Sequence, residues 1–256
     1  MRIGLALSGG GARGFAHLGI IKALEELGIT ISEVSGTSAG AIAGAFYCYG
    51  HKPDQILDII SQTGFLKSVR PAWAWTGLLS MDGFKDVLVR YLPENSFETL
   101  KIPLTISATE IRHGRVTYFN SGELIPKIIA SSSIPALFNP MTLNGHVYVD
   151  GGIMDNLPVQ PLVGMCDFII GSHCNPVEQR FDIKSVKEIT ERSLLIAINV
   201  NSSHSKTHCN VVIEPPNLGK YSTFDLSRGK EIFDIGYQFV MQHYTKNDFQ
   251  VTPSLT

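Results

Sequence analysis

Residues 5–14 read LALSGGGARG. An apolar run breaks into three consecutive glycines, Gly9, Gly10 and Gly11, and a fourth follows at Gly14. The short run 2–8 reads as a buried strand cut off by glycine. The segment 15–28 reads as a helix, with Phe15, Leu18, Ile21 and Leu24 on one apolar face and Gly28 at its C′ position. Strand, glycine loop and helix in that order open an α/β fold. The loop is built to meet negative charge, and the question is which. Gly9, Gly11 and Gly14 spell G-x-G-x-x-G, the spacing that holds a dinucleotide pyrophosphate. That use needs an acid at the carboxyl end of the second strand, about 20 residues on. Glu33 stands near the distance, but the strand (29–35) ends on Gly36-Thr37-Ser38-Ala39-Gly40 instead.

G-T-S-A-G is a G-x-S-x-G. This pattern holds a nucleophilic serine on a sharp strand-to-helix turn, with glycines leaving room for the bend. The helix that follows (to residue 50) aims its N-terminal amides at charge developing beside Ser38. Two strand-to-helix junctions then open at one edge of the sheet. One supplies a nucleophile. The other supplies the N–H groups of Gly9, Gly10 and Gly11 as donors to an oxyanion, with the Ala39 N–H as a further donor. Arg13 either braces the loop, draws an anionic head group, or makes a surface salt bridge.

A serine needs a proton acceptor. Of the eight histidines, the four late ones (173, 204, 208 and 243) stand in no glycine-flanked loop. Asp150 does: VYVDGGIMDNLP (147–158) ends a strand on it and turns on Gly151 and Gly152. A carboxylate there either serves as base in a site that excludes water or simply caps the turn. His17, one turn past the glycines, reads as a core histidine or a support for the loop. His146 alternates in phase with Asp150 and reads as structural. His204 and His208 fall in a polar segment that reads as a loop, so no metal is expected of them. Ser131, Ser132 and Ser133 either offer hydroxyls to a pocket or cap the turn before Pro135.

The remaining chain alternates in type. Helices are expected over 53–61, 81–93, 123–132, 184–203 and 227–244, and strands over 101–110, 114–120, 166–173 and 208–216, with a hairpin over 141–152. Residues 64–81 read as irregular and aromatic. Phe65, Trp73, Trp75, Leu78 and Leu79 beside Lys67 and Arg70 suit either an interfacial membrane contact or an ordinary packed loop. The expectation is one α/β domain over 1–256, three layers around a mostly parallel sheet. A net charge of −2 speaks against a nucleic-acid binder. Four scattered cysteines suggest free thiols and a reducing compartment. With no signal peptide and no apolar run of about 18 residues, the reading is a cytoplasmic protein, with peripheral membrane contact open.

Gly9 to Gly14, Gly36 to Gly40 and Asp150-Gly151-Gly152 together resemble the three signatures of the patatin-like phospholipases. Ala130 to Pro135 is similar to a fourth, and Asn156 and Pro158 extend the aspartate motif in the family manner. The resemblance spans residues 2 to about 175, and the length resembles the small bacterial members. It implies a Ser38–Asp150 dyad without a catalytic histidine, and an oxyanion hole from Gly9 to Gly11 with Arg13, Ala39 and Gly151 in support. It also implies hydrolysis of fatty-acyl esters of phospholipids or lysophospholipids, with no metal or other cofactor. Acyl transfer or thioester cleavage shares the same acyl-enzyme. A lipid- or nucleotide-binding regulator without turnover is the reading from another class.

Overall fold

A computed structural model describes residues 1–62, 70–74, 77–178 and 186–250. The chain opens with β1 (Ile3–Leu7), α1 (Phe15–Glu26), β2 (Glu33–Thr37), α2 (Ala39–Tyr49) and α3 (Pro53–Gln62). A two-stranded ribbon, β3 (Arg70–Ala74) and β4 (Gly77–Ser80), precedes α4 (Asp82–Tyr91). Then come β5 (Leu104–Glu110), β6 (Arg115–Phe119), α5 (Ile125–Ser131), β7 (Met141–Leu143) and β8 (His146–Asp150). The rest is β9 (Phe168–Ser172), α6 (Val186–Lys206), β10 (Val211–Ile213) and α7 (Gly229–His243).

The main sheet has the order β10-β9-β1-β2-β5-β8-β7, with β6 also on β5. From β10 to β5 all pairs are parallel, and β6, β7 and β8 add an antiparallel flank. β1 and β9 are buried along their whole length. This is why they read as unbroken apolar runs rather than alternating ones. Alternation does decide which core each residue joins. Ile3, Leu5, Leu7, Phe168 and Ile170 pack with helices α1 to α5 and α7. Ala6 and Ile169 face the other way, onto Leu157, Val159 and Leu162 of the segment after β8. The second outer layer is therefore thin, built of short turns, with Cys209 just past α6 at its edge. On the thicker side, α2 crosses β1 so closely that a Cβ at Gly40 would land on the Leu7 carbonyl.

One feature of β5 positions everything that follows. β6 lies along Ile106–Glu110, so it takes one edge of β5. The other edge is shared. β2 occupies it opposite Leu104–Ser107, running parallel, and β8 occupies it opposite Ala108–Glu110, running antiparallel. The carboxyl ends of β2 and β8 thus meet head to head, Thr37 opposite Ser107 and Asp150 opposite Ala108.

Three sequence expectations are corrected. β2 begins at Glu33, not Ile29, because its pairing with β1 starts at Gly4↔Glu33; Ile29 and Ile31 fill the core from a loop. Within the stretch expected to be irregular, 70–74 and 77–80 pair as a ribbon; Phe65, Lys67 and Trp75 lie outside the described residues. α6 runs on to Lys206, so His204 is helical. There Ser202 and Ser203 bond back to the carbonyls of Ile198 and Asn199, which lets a serine-rich stretch stay helical. The four cysteines are free thiols. Among the described residues no helix is long and apolar enough to cross a membrane.

Candidate active site

Ser38 stands where β2 turns into α2, with φ 53° and ψ −118°. A non-glycine residue in this region is strained and persists only where its surroundings hold it. Here the Ser38 N–H donates to Ser131 Oγ at 2.8 Å, and the Ser131 hydroxyl donates to the Ser107 carbonyl at 2.6 Å. Next to it, Thr37 Oγ1 donates to the Asp155 carbonyl at 2.9 Å. Both ends of the bend are therefore tied to β5 and to the loop after β8.

Asp150 closes β8 and caps the short turn that follows. Its Oδ1 accepts the Gly152 N–H at 2.8 Å, and its own N–H donates to the Ser133 carbonyl at 2.9 Å. Gly151 presses against the Ser107 carbonyl. The Asp150 carboxylate also faces the Ser38 hydroxyl, whose hydrogen-bonding influence favours its charged form. Burial pushes its pKa up to about 6, against the two hydrogen bonds that favour the charged form. No histidine is among the groups that act on Asp150.

The glycine loop lies beside this pair. Gly9 departs from expectation: its N–H already donates to the Asn156 carbonyl at 3.0 Å. Its carbonyl accepts Asn175 Nδ2 at 2.6 Å and Cys174 Sγ at 3.3 Å. Gly9 is thus an anchor of the loop. Among the described residues the N–H groups of Gly10 and Gly11 have no acceptor. Gly11 is left-handed (φ 56°), and a Cβ there would strike the Thr223 carbonyl. That carbonyl accepts the Ala12 N–H at 2.8 Å and so holds the loop open. Arg13 is buried and donates to the carbonyls of Tyr221 (2.8 Å) and Gly219 (3.3 Å), the bracing role among those weighed for it. His17 is wholly buried between Ser172 Oγ (2.7 Å) and the Ser8 carbonyl (2.8 Å), and burial pushes its pKa down to about 4. It is a neutral core histidine that fixes the residue before the glycines.

Ser38 sits where two largely apolar cavities meet. The first, about 100 Å³, runs inward between Phe15, Leu18, Ile42, Phe84 and Phe138. The second, about 380 Å³, reaches Gly9 to Gly11, Asp150 and the inner side of α6. Elsewhere, Glu110, His113 and His146 bring possible metal-ligand atoms within 4.8 Å of one another. This cluster is at the far end of β8 from Asp150, so His146 is no third member of the pair. His204 and His208 stack edge-on with centroids 5.0 Å apart at the end of α6.

Several of these partners carried no signal in the sequence. Thr223 and Asn175 reach the glycine loop from well over a hundred residues away, and Asn156, read only as an extension of the aspartate motif, does the same. Ser131 reads as a pocket hydroxyl or a cap of the turn before Pro135, yet it braces the Ser38 amide.

The fold and the three glycine-marked loops define a class, the α/β proteins built around a serine on a strand-to-helix bend. The model of the patatin-like phospholipase family matches residues 5–163, and the chain belongs to that family. An uncharacterized NTE family protein of Mycobacterium bovis is 34% identical over 166 residues, covering 64% of this chain and 46% of that protein. The lysophospholipase NTE1 of Kluyveromyces lactis is 30% identical over 270 residues, covering 93% of this chain and 19% of its own length. The chain thus spans less than half the length of these relatives. Among solved structures, VipD from Legionella pneumophila superposes with a TM-score of 0.54 at 18% identity, over 94% of this chain and 67% of that one, a likeness of fold.

Proposed function

We propose that this protein is a serine acyl hydrolase acting on fatty-acyl esters of phospholipids or lysophospholipids. The observation that carries the reading is the Ser38 hydroxyl facing a buried Asp150 carboxylate, at the junction of two apolar cavities. Ser38 Oγ attacks the ester carbonyl carbon as its proton passes to Asp150. A carboxylate with a pKa of about 6 is ionised at neutral pH and is a better base than an ordinary aspartate. The oxyanion is met by the N–H groups of Gly10 and Gly11 and by the first amides of α2, beginning at Ala39. Gly9 and Arg13 hold the loop in place. The tetrahedral centre collapses, the alcohol leaves with the proton from Asp150, and the acyl group stays on Ser38. Water then attacks the acyl-enzyme, gives its proton to Asp150, and frees the fatty acid and Ser38.

Apolar walls on both sides of Ser38 suit acyl chains, and the curated name of the yeast relative, a lysophospholipase, supports the same substrate class. The test is a fluorophosphonate probe followed by mass spectrometry of the adduct. Labelling of Ser38 that collapses in Asp150→Asn is the expected result. A folded protein that takes no label, and cleaves no lysophospholipid, would overturn the reading.

A further inference from the structure

α6 is built inside out. An ordinary surface helix turns its apolar stripe inward and its polar face to water. Here Val186, Ile189, Ile196 and Val200 share one helical face, and that face points to solvent, with Val186 80% and Val200 71% exposed. From Ser193 to Ser205 the helix carries no Asp, Glu, Lys or Arg.

Its inward face is polar and is bonded to the two loops that hold the candidate site. Asn199 Nδ2 donates to the Asn175 carbonyl at 2.9 Å, and Asn175 in turn holds Gly9. Asn201 Nδ2 donates to the Gly152 carbonyl at 2.9 Å, and its Oδ1 accepts the Asn156 N–H at 3.1 Å. Leu194, Leu195 and Ile198 continue the apolar surface around the helix into the wall of the larger cavity that reaches Ser38 and Asp150. Ile153, exposed on the loop after Asp150, lies beside Asn201 and extends the same surface.

We propose that the outward face of α6 docks on a lipid bilayer, seating the mouth of the larger cavity on the membrane. A helix lying in the interface buries its apolar face among acyl chains. An aliphatic path from that face into the cavity would let an acyl chain leave the bilayer without crossing water. With no charged side chain on the outer face of 193–205, the contact is apolar and does not depend on anionic lipid. The purpose of the surface rests on the acyl-hydrolase reading, but its binding does not.

The experiment is flotation with phosphatidylcholine vesicles at low and high salt, using Ser38→Ala so that the lipid survives. Ile196→Glu with Val200→Glu tests the surface, and Met165→Glu, similarly exposed but on the turn before β9 rather than on α6, is the control. The parent and the control are expected to float alike at either salt. The double variant is expected to bind at least about tenfold less. In the Ser38 background it is expected to keep full hydrolysis of a soluble short-chain ester, which reports an intact fold. Failure of the parent to float, or flotation of the double variant at the parent's level, would overturn the proposal. So would a dimer in solution that the double variant splits, which would assign the face to a second copy of the chain. Normal flotation by a protein that hydrolyses and labels nothing would instead sink the acyl-hydrolase reading and leave the docking surface standing.

Discussion

The Ser38 hydroxyl faces the Asp150 carboxylate across the gap where β2 and β8 meet head to head on one edge of β5. Each is the residue at which its strand runs out, and the register of β5 sets their separation.

Removing the charge of Asp150 should make the protein more stable as it makes it inactive. A folded pKa of about 6 against 3.8 means that the ionised carboxylate costs the fold roughly 3 kcal/mol at pH 8. Asp150→Asn keeps an oxygen for the Gly152 N–H and carries no charge. It is expected to unfold at a higher temperature than the wild type at pH 8, with the gap closing below pH 4. Equal melting curves at pH 8 would show that the carboxylate is not held as described.

Turnover should depend on the same group. Asp150 must be ionised to take the proton, so kcat/KM for a soluble ester is expected to rise with pH through about 6 and then level. A limb at pH 4 would mean an ordinary solvated aspartate. A limb that shifts when His17 is replaced would mean that a histidine shares the work.

His17 pulls stability the other way. Its pKa falls from 6.5 unfolded to about 4 folded, so the unfolded chain gains a proton that the fold refuses, and stability drops as pH falls from 6.5 to 4. The loss amounts to roughly 3 kcal/mol. Over nearly the same range Asp150 returns about as much by taking up its proton. Wild-type stability should therefore be nearly flat between pH 6 and pH 4, while Asp150→Asn should show the full His17 slope. Denaturant melts at a series of pH values read both curves, and parallel curves would refute the opposition.

Ser131→Ala should damage the Ser38 bend without touching substrate. It leaves the buried Ser38 N–H unpaired, at a cost of about 1–3 kcal/mol. The expected signature is a lower kcat with KM nearly unchanged, and slower probe labelling. Rescue by Ser131→Thr, which restores the hydroxyl, separates this role from simple loss of packing.

Gly11→Ala should be worse than its size suggests. It places a Cβ in a left-handed residue and against the Thr223 carbonyl. Displacing that loop misaims the Gly10 and Gly11 amides, and the expected loss in kcat is about 10²–10³-fold. A loss under tenfold would assign the oxyanion to other donors.

The glycine loops, the G-T-S-A-G bend and an aspartate ending a strand before two glycines were all legible, because each is local chemistry written in consecutive residues. The partners were not. That Gly9 spends its N–H on Asn156, or that Thr223 props Gly11, follows from where distant segments cross, and no spacing records it. β2 was read four residues early for a related reason. Ile29 and Ile31 are apolar because they fill the core, and burial in a loop looks like burial in a strand. α6 misled at its end, where serines and a histidine suggested a loop but side-chain bonds back to the helix kept it wound.

The head-to-head meeting of β2 and β8 also bears on when the chemistry can begin. Ser38 lies early in the chain, but Asp150, its proposed proton acceptor, reaches it only when β8 has been made and has paired backwards onto β5. That pairing joins segments separated by β6, α5 and β7, so the first part of the chain cannot make it alone. A chain emerging from the ribosome, or one caught half folded, presents the serine without its proposed base. On the proposed mechanism, reactivity is withheld until the sheet is closed.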